Sequence, residues 1–191
     1  MKAVAAVIAP MLLSVFSAVL AGPSPGPGPV PHGSPQAAAD AWGSIRFLVG
    51  DWVGEGSGQP GAGRGSFSFR FALEDKVLVR RDHSEYPAGG GRPSVVHDAL
   101  MIVYPEPGHR RLAAIYFDNE GHVIRYQVGT EGGGHRIAFF SEPTAGAPRF
   151  RLTYARMTDD AVDVTFEIAP PDQPDAFKQY IGGRSRRVTK N

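Results

Sequence analysis

The chain has 191 residues, no cysteine and a formal net charge of +1, which excludes a disulfide framework and argues against a strongly basic nucleic-acid-binding protein. Hydrophobic residues make up 42% of the sequence, enough to build a sizeable core in a single globular domain. Stability must therefore come from packing and sheet closure.

Residues 1–21 have the pattern of a secretory signal peptide. Lys2 precedes a long apolar run, and Ala21 suits cleavage. A retained membrane anchor is the alternative because the run is nearly long enough to span a bilayer, although Pro10 and the cleavage site favour the signal. We therefore expect a secreted or periplasmic protein with no stable membrane insertion after signal removal. The mature chain would carry no net charge, so nucleic acid is not an expected partner.

Residues 22–44 form a leader rich in Pro, Gly and Ala that leads into a short helix. Six prolines between Gly22 and Pro35 favour extended polyproline-type conformations and provide no core residues. The Ala-rich stretch from Gln36 to about Arg46 permits a short helix. We expect this N-terminal helix to cap one end of the domain that occupies residues 45–188.

Ten strand-like runs follow, separated by clusters of turn-forming residues. The predicted runs are 47–58, 65–73, 77–86, 95–104, 111–117, 122–128, 135–141, 149–157, 162–168 and 177–187. Short connections favour antiparallel hairpins, and closure of the sheet removes its two exposed edges. The sequence therefore predicts an all-β fold, an up-and-down antiparallel β-barrel of about ten strands.

The first run carries Phe47, Leu48, Gly50, Trp52, Gly54 and Gly56. This pattern resembles the opening strand of lipocalin-like (calycin) barrels, and its Gly-x-Trp-x-Gly-x-Gly form most resembles the nitrobindin-like subgroup. The stretches 77–86, 97–104, 115–126 and 150–154 are similar to a family of secreted bacterial proteins of unknown function with the same barrel type. The resemblance covers residues 45 to 187 and implies the barrel fold.

The resemblance also implies two statements about individual residues. Nitrobindin-like barrels bind haem through a His close to the C-terminus, whereas the last His here is His135, so we expect no haem and no other cofactor. In calycins the first-strand Trp packs against an Arg of the last strand, which implies that Trp52 stacks on Arg184, Arg186 or Arg187. We predict Arg184 and Arg186 as the closing residues. Related barrels often pair, so a homodimer is a candidate assembly.

Polar residues within the strands are the candidates for chemistry. In the run 77–86, Arg80 and His83 lie on opposite faces, so this strand either has a polar lumen face or ends its buried part near Arg80. His97 and Asp98 are adjacent and must point to opposite faces. This arrangement argues against a metal site or catalytic dyad built from that pair.

The predicted hairpin 115–126 suggests a lumen rim. A two-residue turn at Asn119-Glu120 would pair Phe117 with His122 and would place both, with Tyr126, on the inner face. A change of one residue in the turn would reverse this alignment.

Two function classes follow, and a third is weaker. The preferred one is a barrel that binds a small, mostly apolar molecule in its lumen. Its predicted ligand-binding residues are Arg80, His83, His97, Met101, Phe117, His122 and Tyr126. The alternative is a barrel enzyme, a hydrolase or isomerase, with His122 or His83 as general acid or base and Tyr126 or Arg80 stabilising charge.

Catalysis stays open at this stage, with binding preferred. No catalytic residue is assigned, because no Ser, His and acid can be grouped from the sequence. Zinc on His83, His97 and His122 would need three strands to converge, and no close-spaced ligand motif indicates a metal site. The third class is an interaction module tethered by the leader.

Overall fold

The structure, a computed structural model, describes residues 42–55, 63–89, 93–109 and 111–189. The predicted signal peptide, the Pro-rich leader and residues 36–41 of the predicted helix lie outside the described residues. Within the described ranges, no helix has both the length and the apolar character needed to cross a membrane.

Ten antiparallel strands form the body of the protein, which confirms the predicted all-β fold. They are β1 (Gly50–Glu55), β2 (Arg64–Ala72), β3 (Val77–Tyr86), β4 (Val95–Pro105), β5 (Leu112–Asp118), β6 (Val123–Glu131), β7 (Arg136–Ser141), β8 (Arg149–Arg156), β9 (Ala161–Ala169) and β10 (Lys178–Arg187). A short 3₁₀ helix, Gly132–Gly134, joins β6 to β7.

Each strand pairs with its neighbour in sequence, and β1 also pairs with β10, so the sheet closes into an up-and-down barrel. At the closing seam Trp52 lies opposite Arg187 and Glu55 lies opposite Arg184. Closure leaves no unpaired sheet edge, which removes the main aggregation hazard of an open ten-stranded sheet.

The segment before β1 closes one end of the barrel. Among its described residues Trp42 is helical and Arg46–Leu48 forms a single 3₁₀ turn, while most of the predicted capping helix lies outside the described residues. Trp42, Ile45 and Leu48 are buried in the core, and the Trp42 ring packs edge-to-face on Phe71 with centroids 5.3 Å apart. The predicted capping function is therefore met by apolar side chains of a turn.

Aromatic residues fill the interior next to this closed end. Phe67, Phe69 and Phe139 all pack edge-to-face around Tyr154, with ring centroids 5.5, 5.6 and 6.1 Å from its ring. Burying each such ring stabilises the fold by roughly 1.5–3 kcal/mol. The opposite end contains the β1–β2, β3–β4, β5–β6, β7–β8 and β9–β10 connections and is the barrel mouth.

Candidate ligand site in the barrel lumen

The closed end is sealed by Arg187 and Trp52. The Arg187 guanidinium carbon lies 4.3 Å from the centre of the Trp52 ring. The same guanidinium donates hydrogen bonds to the carbonyl oxygens of Val49 (2.6 Å) and Phe47 (2.8 Å). This end is thus a structural closure.

Arg184 and Arg186, the two predicted closing residues, lie on the outer face instead. Arg184 is bonded to Asp163 at 2.7 Å, and Arg186 is bonded to Glu55 at 2.8 Å. Strand alternation explains this correction, because the inner face of β10 at this level carries the buried Ser185 and then Arg187.

Halfway along the lumen, a buried arginine forms a polar floor. Arg80 is 7% exposed and donates a hydrogen bond from Nη2 to Asp82 at 2.6 Å. Burial alone would lower the pKa of Arg80, but the carboxylate of Asp82 and the hydroxyls of Tyr154 and Tyr116 more than offset it, so the pKa is raised. The guanidinium therefore stays charged inside the barrel.

Two polar atoms of this floor have no hydrogen-bond partner among the described residues. They are Nε of Arg80 and the hydroxyl of Tyr154, and both are sealed from solvent. Arg80 and Tyr154 flank the same ring, since the guanidinium lies 5.5 Å from the Phe67 centroid and the Tyr154 ring also lies 5.5 Å from it. Burial raises the pKa of Tyr154 to about 12, so its hydroxyl is protonated at neutral pH.

A chain of hydrogen bonds runs along the mouth. His97 contacts Glu120 through Nδ1 (3.1 Å) and the Tyr116 hydroxyl through Nε2 (2.9 Å). The Tyr116 hydroxyl also donates to Asp118 (3.3 Å), which in turn contacts Nδ1 of His122 (2.9 Å). A general acid or base needs this kind of imidazole, phenol and carboxylate contact.

Asp118 anchors this chain and the β5–β6 turn. Its side chain is 3% exposed and accepts hydrogen bonds from the backbone N–H groups of Glu120 (3.0 Å) and His122 (2.9 Å). Burial would raise the pKa of Asp118, but these N–H groups and the His122 ring lower it below 3.8. Asp118 is therefore ionised at neutral pH.

The turn is one residue longer than predicted, which reverses the expected hairpin alignment. Phe117 pairs with Val123 rather than His122, and Ala114 pairs with Tyr126. The two backbone bonds to Asp118 hold the longer loop, and Gly121 adopts a φ of +91°. Phe117 consequently points outward and is 38% exposed, so its predicted lumen position is wrong.

The other predicted binding residues divide between the two faces. Met101 and Tyr126 are buried inside, with exposures of 0% and 3%, and His97 lies inside at the mouth. His83 points outward, where it contacts Asp98 (2.6 Å) and Glu85 (3.1 Å), so its predicted lumen position is wrong. His122 lies in the turn itself, with its side chain half-exposed. Their role in binding stays a prediction.

Sequence reasoning missed Tyr116, Asp118 and Tyr154, although alternation carried a signal. Asp82 shares the inner face with Arg80, and Tyr154 lies two positions from the buried Leu152. The predicted two-residue turn placed Phe117 inside and therefore Tyr116 outside, whereas the longer turn brings Tyr116 to the inner face. Of the three histidines selected from the sequence, only His97 lies inside the mouth, while His83 is on the outer face and His122 is in the turn.

Three glycines leave one wall of the lumen without side chains. Gly54, Gly65 and Gly183 share the inner face with Trp52, Phe67 and Ser185. At Gly183 no atom of the described residues lies within 4 Å of where a Cβ would stand. At Gly54 the nearest atom to that position is the Gly65 carbonyl oxygen at 3.4 Å. At Gly65 the Ser84 hydroxyl oxygen would lie only 3.1 Å from it, so the open space lies beside Gly183 on β10, whereas the backbones and side chains of β1 and β2 approach closely at Gly54 and Gly65.

Two shallow grooves lie on the outer surface. The larger, about 790 Å³, runs over β1 to β5 and includes outward side chains such as Ser66, Arg81 and Leu100. The smaller, about 470 Å³, lies over β9 and β10 beside the register shift between Gln179 and Ile181. Neither groove is lined by Arg80 or Tyr154. Among the described residues, no three His, Asp or Glu side chains are grouped as a metal site requires.

Comparison with solved structures shows the barrel fold. The crystal structure of Rv2717c from M. tuberculosis superposes with a TM-score of 0.52 at 12% identity, covering 78% of this chain and 98% of that one. EF1p2_mFAP2b bound to DFHBI covers 76% of this chain and 97% of its own, at 11% identity and a TM-score of only 0.28. No protein-family model and no curated protein sequence matches the chain.

Proposed function

We propose that the barrel binds a small, mostly apolar molecule in the mouth half of its lumen. The observation that carries this proposal is the glycine wall of Gly54, Gly65 and Gly183, with open space in front of Gly183. Gly54 and Gly183 are solvent-exposed, so the lumen is open at this level and is not filled by side chains as a close-packed interior is. The space instead suits a guest molecule.

The remaining walls have the composition of a ligand pocket. Ile124, Phe150 and Phe166 are only partly buried, and the Phe150 and Phe166 rings stack with centroids 5.8 Å apart. Tyr116, which is the cross-strand neighbour of Ile124, and Asp82, which is bonded to Arg80, add polar groups to the inner face. Apolar walls with a few fixed polar groups are typical of sites for small molecules.

The test fills the space in front of Gly183 with a side chain of the protein itself. Gly183→Leu should weaken binding of the naphthyl ketone prodan by at least about tenfold, because the new side chain occupies the ligand's volume. Titration followed by prodan fluorescence gives the dissociation constant, and Gly183→Ala provides a graded smaller step. Urea denaturation should show that both variants fold.

Gly182→Leu is the matched control. Gly182 points outward, and an added Cβ would meet only the flexible side-chain amide of Gln179, at 2.5 Å. Its prodan affinity should equal that of the parent protein. Absence of saturable binding to the parent, or equal loss of affinity in both leucine variants, would contradict the proposal.

Catalysis is the second candidate, favoured by the mouth chain of His97, Tyr116 and Asp118. A His bonded to a Tyr beside a lumen fits general acid–base work such as isomerisation. The chemical state of a ligand after incubation separates the two functions. Recovery of unchanged ligand supports binding, and its conversion supports an enzyme.

We also propose that the protein is exported and acts outside the cytoplasm. The pattern of residues 1–21 supports this, as does the resemblance to secreted bacterial barrels of unknown function with a nitrobindin-like opening strand. N-terminal sequencing of the mature protein would test for cleavage after Ala21. We propose a small molecule rather than nucleic acid as the partner, because the mature chain would carry no net charge. We propose no haem, because no His follows His135.

A further inference from the structure

We propose that the ligand carries an uncharged hydrogen-bond acceptor, such as a ketone, aldehyde or ester oxygen, that binds Nε of Arg80 and the hydroxyl of Tyr154. This inference rests on the proposed lumen binding and names the chemical class of ligand. It starts from two buried polar atoms that have no partner in hydrogen-bonding geometry among the described residues, on two side chains close enough for each to shift the pKa of the other.

Unpaired buried donors are costly, so their retention requires an explanation. A buried donor without a partner forfeits its hydration, and native proteins satisfy nearly all such groups. Both Nε and the Tyr154 hydroxyl are donors at neutral pH, and the guanidinium carbon of Arg80 and the ring of Tyr154 each lie 5.5 Å from the centre of the Phe67 ring. One acceptor oxygen placed beside that ring can satisfy both groups.

The local charge argues that this acceptor is neutral. Asp82 already opposes the charge of Arg80 at 2.6 Å, and their side chains are only 14% and 9% exposed. A carboxylate entering here would face Asp82 in a poorly solvated site, where two like charges are strongly unfavourable. A carbonyl oxygen accepts the same hydrogen bonds without that repulsion.

Access to the two donors requires a small side-chain movement. Both atoms are sealed from solvent, so the guanidinium must pivot about its bond to Asp82 for the oxygen to enter. The space in front of Gly183 and the partly exposed rings of Phe150 and Phe166 then accommodate the apolar part of the ligand.

Three ligands of one shape test the acceptor. We expect 2-acetylnaphthalene to bind more tightly than 2-ethylnaphthalene or 2-naphthoate, as measured by calorimetry or by competition with prodan. Tyr154→Phe should weaken binding of the ketone roughly 3- to 10-fold, the value of one hydrogen bond, and should leave 2-ethylnaphthalene unchanged.

The same variant has a second readout. The Tyr154 hydroxyl has no partner in hydrogen-bonding geometry among the described residues, so its removal should leave the urea midpoint unchanged or raise it. A bound carbonyl-¹³C ketone should show a higher C=O stretching frequency in this variant than in the parent. Tyr104→Phe, on the outer face of β4, should change neither measurement.

Each result decides between the ideas. Equal binding of the three naphthalenes, tightest binding of 2-naphthoate, or an unaltered ketone affinity in Tyr154→Phe overturns the acceptor and leaves lumen binding standing. Binding of none of the three overturns both proposals.

Discussion

At the scale of single residues, Gly50 shows why the opening motif needs glycine. Gly50 has a φ of +140°, and an added Cβ would lie 2.4 Å from Nη1 of Arg187. That nitrogen cannot move freely, because it donates to the Val49 carbonyl oxygen. The glycine thus provides both the backbone conformation and the room for the guanidinium that stacks on Trp52.

Gly50→Ala should therefore destabilise the protein by roughly 1–3 kcal/mol, the cost of a side chain in a glycine-only backbone region. The measurement is the free energy of unfolding in urea. Gly183→Ala is the matched control, since its Cβ meets no described atom and its φ is not positive. Equal stability of the two variants would show that Gly50 has no special role.

At the scale of elements, alternation and turn signals were sufficient to place the strands but not every register. The predicted run 77–86 matches β3 residue for residue, because Gly and Pro clusters bound it on one side and a turn on the other. The β5–β6 hairpin failed by one residue, since turn length depends on the Asp118 carboxylate bonding to Glu120 and His122. No local pattern announces those bonds.

The candidate site was predictable only where burial and polarity coincide within one strand. Arg80 was among the predicted lumen residues, and the structure buries it on the same face as Leu78. The space before Gly183 depends on which strand closes the barrel and with what register, and pairing of β10 with β1 joins residues more than 130 positions apart. The periodicity of the sequence cannot predict the register between strands that are so far apart in the chain.

The Asp118 turn yields a pH-dependent prediction. A lowered pKa in the folded protein means that ionised Asp118 stabilises the fold above pH 3.8, and that this stabilisation is lost as the pH falls below 3.8 through the lower folded value. Asp118→Asn should cost roughly 1 kcal/mol at pH 7, because it replaces one acceptor oxygen by a donor. The difference in free energy of unfolding between Asp118→Asn and the parent should become smaller as the pH falls.

Urea denaturation at pH values from 7 to 3 measures this difference in free energy of unfolding. Asp75→Asn, in the exposed β2–β3 turn, controls for the loss of one negative charge and should follow the parent at every pH. A constant difference between Asp118→Asn and the parent across the range would mean that ionisation of Asp118 does not support the turn.

At the scale of the whole molecule, the barrel depends on its last strand. β10 lies between β9 and β1, so the sheet cannot close until the chain is complete to Arg187. Long-range closure of this kind is entropically costly and slows folding. Arg187 offsets part of that cost by joining the end segment and the first and last strands at one point.

Arg187→Met should therefore destabilise the protein by roughly 2 to 4 kcal/mol, because the Phe47 and Val49 carbonyl oxygens lose charged donors and Trp52 loses its cation. Arg186→Met, one residue away, removes only an exposed ion pair with Glu55 and should cost less than about 1 kcal/mol. Urea denaturation compares the two.

Because the last strand closes the ring, Arg187→Met should also speed hydrogen exchange along both β1 and β10, whereas Arg186→Met should not. If both variants lost a similar amount of stability, backbone pairing alone would account for closure of the barrel.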